Sequence, residues 1–292
     1  MTTSTPRALA SEARLRDHVE RLGADHPPLD IAAVDFTVRR PTSVVERFGG
    51  VLDYMARAEL EVERNVLELA TLLPHAPDVD RYFYAEVWQP QEAQHGLILD
   101  ELQVRLGQSP ADTDLTTVSA KIRVIGALAH IAAFQDVVRM LYYLTGMTTE
   151  RSALLAYHQL YDGLVELGES AVAETVITPI RRQEPGHYAF YQMSARALWE
   201  QLSGWQRWLV RHLRTISFSP VGANSDEQRA DVGDMMMALG LDRREVAESF
   251  AEQVGRVERD LLWAHQRGLK VPAYIARAFG DAVELAQERS AA

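Results

Sequence analysis

The chain has 292 residues, 47% hydrophobic and 24% charged, with a formal net charge of −11 and no cysteine. That length buries a core without staples, and the missing thiols exclude disulfides, Cys-ligated zinc or iron–sulfur clusters and a cysteine nucleophile. The acidic balance argues against nucleic acid as a partner, because phosphates need basic surface to neutralise them.

Residues 1–23 are polar, lack the apolar stretch of a signal peptide and predict one short helix over 11–22. A Pro-containing extended arm follows around His26-Pro27-Pro28, of the kind that wraps a core or a partner subunit. Helical periodicity then dominates. Residues 44–73 read as one long helix stopped by Pro74, and 79–106 as a second closed by Gly107. Residues 112–117 read as a loop and 118–145 as a third helix, with Gly146 a break or a C-cap. Thr148 or Thr149 caps the next helix, which carries Glu150 to about Leu167 and ends or kinks at Gly168. Helices over 170–202 and 204–216 follow. A connector at 217–225, with Pro220, Gly222 and Asn224, precedes three shorter helices at 226–239, 243–266 and 272–287. The longest apolar stretch, 125–134, falls short of the roughly 20 residues that span a bilayer. The expectation is an all-α cytoplasmic protein with no membrane span: an arm over 1–40, a main bundle over 41–216 and packed C-terminal helices over 226–292.

Two segments read Glu-x-x-His, at Glu92–His95 and Glu184–His187. Residues three apart share a helix face, so a carboxylate and an imidazole can reach one metal together. One such match is weak, but the arrangement is stronger. A di-iron carboxylate bundle takes Glu-x-x-His from two helices and a lone Glu from each of two others. Glu59 lies 33 residues before Glu92, and Glu150 lies 34 before Glu184. That spacing fits half a long helix, a turn and half a returning helix. Glu59 and His95 then complete one metal, Glu150 and His187 the other, with Glu92 and Glu184 bridging. Carboxylates and neutral imidazoles suit iron, with manganese as the other ion that fits, and two divalent cations offset the buried carboxylates. Glu63, one turn from Glu59, is its main competitor. His130 reads as a core histidine. His158 reads as a pocket or packing residue near the site. Trp88, Tyr142, Tyr143, Tyr157, Tyr161 and Phe190 read as cavity lining or plain core.

At these residues the sequence resembles the soluble acyl-carrier-protein fatty-acid desaturases, a branch of the ferritin-like di-iron proteins. Trp88-Gln-Pro-Gln-Glu92-Ala-Gln-His95-Gly96 has the form of that family's Trp-x-x-x-Glu-x-x-His-Gly. Met55 precedes Glu59 by four, and Glu150-Arg151 matches the pair that opens the family's third ligand helix. The resemblance covers roughly residues 40–200. It implies a ferritin-like four-helix di-iron bundle with additional flanking helices, two Fe2+ ions and O2 as co-substrate. It also implies an acyl carrier protein, a ferredoxin-type external electron donor and a homodimer. The reaction implied is insertion of a double bond into an acyl chain. Departures are Gln91 and Gln183 where the family places acids, and Ala153 where it places Thr, leaving Ser152 or Thr149 as the replacement hydroxyl. Pro185, directly after a ligand, predicts a kink or π-bulge there. Two other readings remain beside the desaturase. One is a tailoring oxygenase, a hydroxylase or N-oxygenase acting on a small molecule; Ile180 stands where the arylamine N-oxygenases carry an extra His. The other is a ferritin-like protein without catalysis.

Overall fold

The computed structural model describes residues 6–115, 120–220 and 225–292, and every regular element among them is helical. The expected loop end at Thr117, the helix start at Val118, and Gly222 and Asn224 of the connector lie outside the described residues. The helices are α1 (Pro6–Asp25), α2 (Pro41–Leu60), α3 (Val62–Leu72), α4 (Asp78–Tyr82), α5 (Gln89–Arg105), α6 (Ala120–Ala129), α7 (Ala132–Glu166), α8 (Ser170–Val172), α9 (Thr178–Gln201), α10 (Gly204–Ser217), α11 (Asp226–Ala238), α12 (Arg244–Leu262) and α13 (Ala273–Ala291).

Two hairpins make the centre of the bundle: α2 packs against α5, and α7 against α9. Both are antiparallel, since Gly49 meets Gln108 while Leu60 meets Gly96 in the first, and Gly146 meets Tyr191 while Tyr161 meets Arg181 in the second. Each crossing helix buries an apolar stripe at helical spacing. On α2 it comprises Val44, Phe48, Val51, Leu52 and Met55; on α7, Val137, Met140, Leu144, Met147, Leu154 and Leu160. The helices stop for local reasons. Gly107 (φ 87°) and Gly168 (φ 79°) sit just beyond α5 and α7 in the left-handed region. In both, the next residue's N–H returns to a carbonyl of the last turn, from Gln108 to Gln103 and from Glu169 to Leu164. Outside the hairpins, α1 packs on α9, α11 on α2, and α12 on α7.

The long helix expected over 44–73 is kinked at Glu61, although its hydrogen bonds run across the kink from Glu61 N–H to Arg57 and from Asn65 N–H to Glu61. Gly146 neither breaks nor caps anything. Helix α7 runs through it for 35 residues. A Cβ there would lie 2.3 Å from the Tyr191 ring, so the glycine serves a close approach. The actual break falls at Ile131, whose extended backbone precedes α7. Pro185 lies inside α9, which continues past it. The π-helical turns come earlier, at Phe83–Trp88 and Ala173–Ile177. Each lies just before a proline at the start of the next helix, Pro90 and Pro179. A proline has no N–H and crowds the carbonyl four residues back; a wider turn, seen in Gln89 N–H to Tyr84 and Thr178 N–H to Ala173, relieves that crowding.

Candidate metal centre

The six expected ligands meet. Glu59 comes from the last turn of α2, Glu92 and His95 from α5, Glu150 from the middle of α7, and Glu184 and His187 from α9. Glu59, Glu92, His95 and Glu184 each offer an atom within 4.8 Å of the others, and so do Glu92, Glu150, Glu184 and His187. Five of the six are at most 4% exposed; Glu59 is half-buried and borders a chamber.

The oxygens are distributed in pairs. Glu92 turns Oε2 to His95 Nδ1 (3.4 Å) and Oε1 to His187 Nδ1 (2.8 Å). Glu184 turns Oε1 to His95 Nδ1 (3.2 Å) and Oε2 to His187 Nδ1 (3.9 Å). Each central carboxylate therefore spans both histidines, while Glu150 approaches only His187 (3.7 Å). These approaches are close without being aligned as hydrogen bonds. Glu92 Oε1, Glu184 Oε1, His95 Nδ1 and His187 Nδ1 are all buried with no hydrogen-bond partner. Unsatisfied buried polar atoms cost about 1–3 kcal/mol each, and four converging on one place is the pattern that bound cations relieve. The donor set, four carboxylates and two imidazole nitrogens, fits a pair of divalent ions.

The other side of each terminal side chain is held. Tyr157 donates to Glu59 Oε1 (2.5 Å) and Trp88 Nε1 donates to Glu150 Oε1 (3.2 Å). His95 Nε2 meets Gln183 Oε1 (2.7 Å) and His187 Nε2 meets Gln91 Oε1 (2.6 Å), so each glutamine serves the histidine of the other motif. Such partners orient ligating groups and tune them.

Without cations the cluster retains protons. Burial, then the neighbouring Glu92, drives the Glu59 carboxyl well above its ordinary range. Burial, then the charges of Glu92 and Glu184, raises Glu150 to about 8. Burial opposes the charging of His95, but the close carboxylates of Glu184 and Glu92 prevail and lift it to about 9. His187 is raised similarly by Glu92 and Glu150 against the effect of burial. Glu92 is held well below the usual range: burial opposes, and Glu59 and both histidines outweigh it.

The competing readings resolve by burial. Glu63 is exposed and is not among the clustered carboxylates. His130 is exposed, so it is not a core histidine. His158 is also exposed, its Nδ1 turned to its own helix at Leu154 O (2.6 Å), and it takes no part in the site. Tyr157 and Trp88, read from sequence as lining or core, hydrogen-bond to Glu59 and Glu150. Their spacing gave that away only in part: Trp88 is one turn before Glu92, but Tyr157 reaches Glu59 from a helix far along the chain.

An apolar chamber of about 90 Å3 opens onto Glu59, Glu92, Glu150 and Glu184, walled by Met55, Ala58, Val62, Ala153, Ala156 and Met235. Thr149 and Ser152 also line it, the Ser152 hydroxyl being tied to Thr148 O (2.8 Å). A second, more polar cavity of about 260 Å3 shares Ala58, Asn65, Trp88, Thr149 and Glu150 with it. Comparison of the chain with protein-family models, with curated proteins and with solved structures gives no match.

Proposed function

We propose that this chain is an O2-dependent oxidoreductase built on a ferritin-like pair of iron ions, and that it desaturates an acyl chain presented by a carrier protein. The observation that carries the reading is the bridging disposition of Glu92 and Glu184, with their unpartnered atoms facing those of His95 and His187 beside an apolar chamber. Glu59 and His95 would hold one ion, Glu150 and His187 the other, and Glu92 and Glu184 both. Two reduced irons bound there supply O2 activation and hydrogen abstraction from an unactivated C–H bond.

The chain's own part is positional. Met55, Val62, Ala156 and Met235 give an aliphatic segment an apolar wall beside the carboxylates and exclude bulk water. Tyr157 and Trp88 keep Glu59 and Glu150 in place, and the protons retained at Glu150 and His95 are those that bound cations displace. The overall reaction is balanced by two one-electron deliveries from an external donor of ferredoxin type. One alkane unit, O2, two electrons and two protons give one alkene and two waters. Acyl-carrier specificity rests on the resemblance of the ligand motifs.

A hydroxylase acting on a smaller polar substrate is the second reading. It is favoured by the adjoining cavity, which Arg64, Asn65, Glu68 and Arg214 line. Single turnover of anaerobically reduced, iron-loaded protein with O2 and a panel of acyl carriers tests both. An alkene product supports the desaturase. A hydroxylated product transfers the assignment to the second reading. Two bound irons with no product from any acyl substrate overturn the acyl-chain assignment.

A further inference from the structure

Gln91 and Gln183 stand where the resembling family places acids, and both are buried, at 0% and 2% exposure. Each amide has a carbonyl oxygen and an NH2 group, and each end is used. The oxygens meet His187 and His95. The NH2 groups face the N-terminal segment: Gln91 Nε2 donates to His26 O, and Gln183 Nε2 donates to Pro27 O (2.8 Å) and His26 O (3.3 Å).

These contacts fix a chain of hydrogen-bond polarity. A backbone carbonyl can only accept. The amide must therefore turn its NH2 to the carbonyl and its oxygen to the imidazole. The imidazole must in turn donate from Nε2, which leaves Nδ1 directed at the carboxylates. A carboxylate in place of the amide could accept from the histidine but could not donate to His26 or Pro27. The glutamines are thus matched to the arm, and the arm's carbonyls are free because they lie at and just beyond the C-terminus of α1, where helix carbonyls lack intrahelical partners.

Independent packing holds the arm there. Helix α1 buries Leu15, Val19 and Leu22. It lies on α9 at the second motif itself: His18 Nε2 is 3.0 Å from Gly186 O, and a Cβ on Gly186 would stand 2.2 Å from Leu22. Farther on, Glu169 accepts from the N–H groups of Arg39 (3.1 Å) and Arg40 (2.6 Å), pinning the arm's other end.

Resting on the dimetal reading above, we infer that the N-terminal segment is a working part of the metal centre: the carbonyls of His26 and Pro27 clamp Gln91 and Gln183 as positioning residues that hold His187 and His95 with Nδ1 presented to the ions. Because coupling is reciprocal, iron binding strengthens arm docking by the same factor that arm docking strengthens iron binding.

The test pairs anaerobic Fe2+ titration of the full chain, competed with a chelator at pH 8, with hydrogen exchange of the α1 amides. Gln91→Met and Gln183→Met keep the shape but lose both ends of the amide. Each should weaken Fe2+ binding by about 10–100-fold and speed α1 exchange. Replacing both glutamines together by Glu should separate the two effects: the carboxylates still accept from the histidines, so affinity is kept, while α1 loses protection because carboxylate faces carbonyl. Leu22→Asp, which pushes α1 off α9 without touching the cluster, should weaken Fe2+ binding in the native background and not in the Gln91→Glu, Gln183→Glu background. Unchanged affinity in Leu22→Asp overturns the inference, as does unchanged α1 exchange in the double Glu variant. Absence of Fe2+ binding by the native chain sinks the dimetal reading instead, and the exchange response to the double Glu variant still decides whether the clamp exists.

Discussion

Raising the pH from 6.5 to 8 should destabilise the metal-free protein and leave the iron-loaded protein largely unaffected. Glu150 titrates near 8 in the folded chain against an ordinary 4.5, and His95 near 9 against 6.5. Both folded values lie above the unfolded ones. The stability they confer is therefore complete below the ordinary values and is lost as pH rises toward and through 8 and 9. Counting these two groups, the folded state holds about 1.5 more protons than the unfolded chain across the window, a slope of about 2 kcal/mol per pH unit and about 3 kcal/mol in all. For a chain of this size that lowers the melting midpoint by about 10 °C. The assay is thermal unfolding of chelator-stripped protein at several pH values, repeated under anaerobic Fe2+. Cations replace the retained protons, so the slope should vanish on loading. Glu150→Gln should remove one proton and roughly halve the slope of the metal-free series. A metal-free midpoint that is flat or rises across this range refutes the reasoning, as does a slope that Glu150→Gln leaves intact.

Tyr157→Phe removes the hydroxyl 2.5 Å from Glu59; it should cost about 1–3 kcal/mol in the iron-loaded state and weaken the ion shared with His95, read by melting and by chelator competition. Arg214, 2% exposed, is paired with the fully buried Glu258 at 2.9 Å. Arg214→Leu strands that carboxylate and should cost about 3–5 kcal/mol, most of it recovered when Glu258→Leu is added, as urea denaturation would show. Ala153 walls the chamber, so Ala153→Phe should leave two irons bound while product formation falls by more than about tenfold, since filling a chamber of this size removes the substrate's place. Loss of iron along with product in that variant would count against the chamber being the substrate's site.

The convergence of the six side chains was legible because metal-ligand chemistry would impose a spacing. A Glu and a His on one helix face must be three apart, and a lone Glu on the partner helix must lie one hairpin away; Glu59, Glu92, His95, Glu150, Glu184 and His187 obey both constraints. The helix ends at Gly107 and Gly168 were legible for a similar local reason. Gly146 misled, because a glycine that makes room for Tyr191 has the same letter as one that ends a helix. The kink at Glu61 and the break at Ile131 had no proline or glycine to mark them. Contacts between distant segments were also hidden. Nothing in the spacing of Gln91 or Gln183 indicates that each serves the other motif's histidine, or that His26 and Pro27 lie behind both. What sequence registered as two missing acids is, in the fold, a change of partner.

The centre has two unlike faces, and the chemistry proposed for it depends on that difference. Four carboxylates border the chamber and neither histidine does. The histidines are backed by the amides, and the amides by the arm. A carboxylate can change which oxygen it offers and how many, at little cost, whereas an imidazole held at Nε2 can offer only Nδ1 in one direction. On the proposed reading, substrate and O2 would meet the ions on the side whose carboxylates can rearrange, while the side that would fix the ions' positions is closed by hydrogen bonds to main chain. Tyr157 and Trp88 restrain the two terminal carboxylates by one hydrogen bond each, leaving Glu92 and Glu184, which have unpartnered oxygens, as the pair freest to adjust between the two ions.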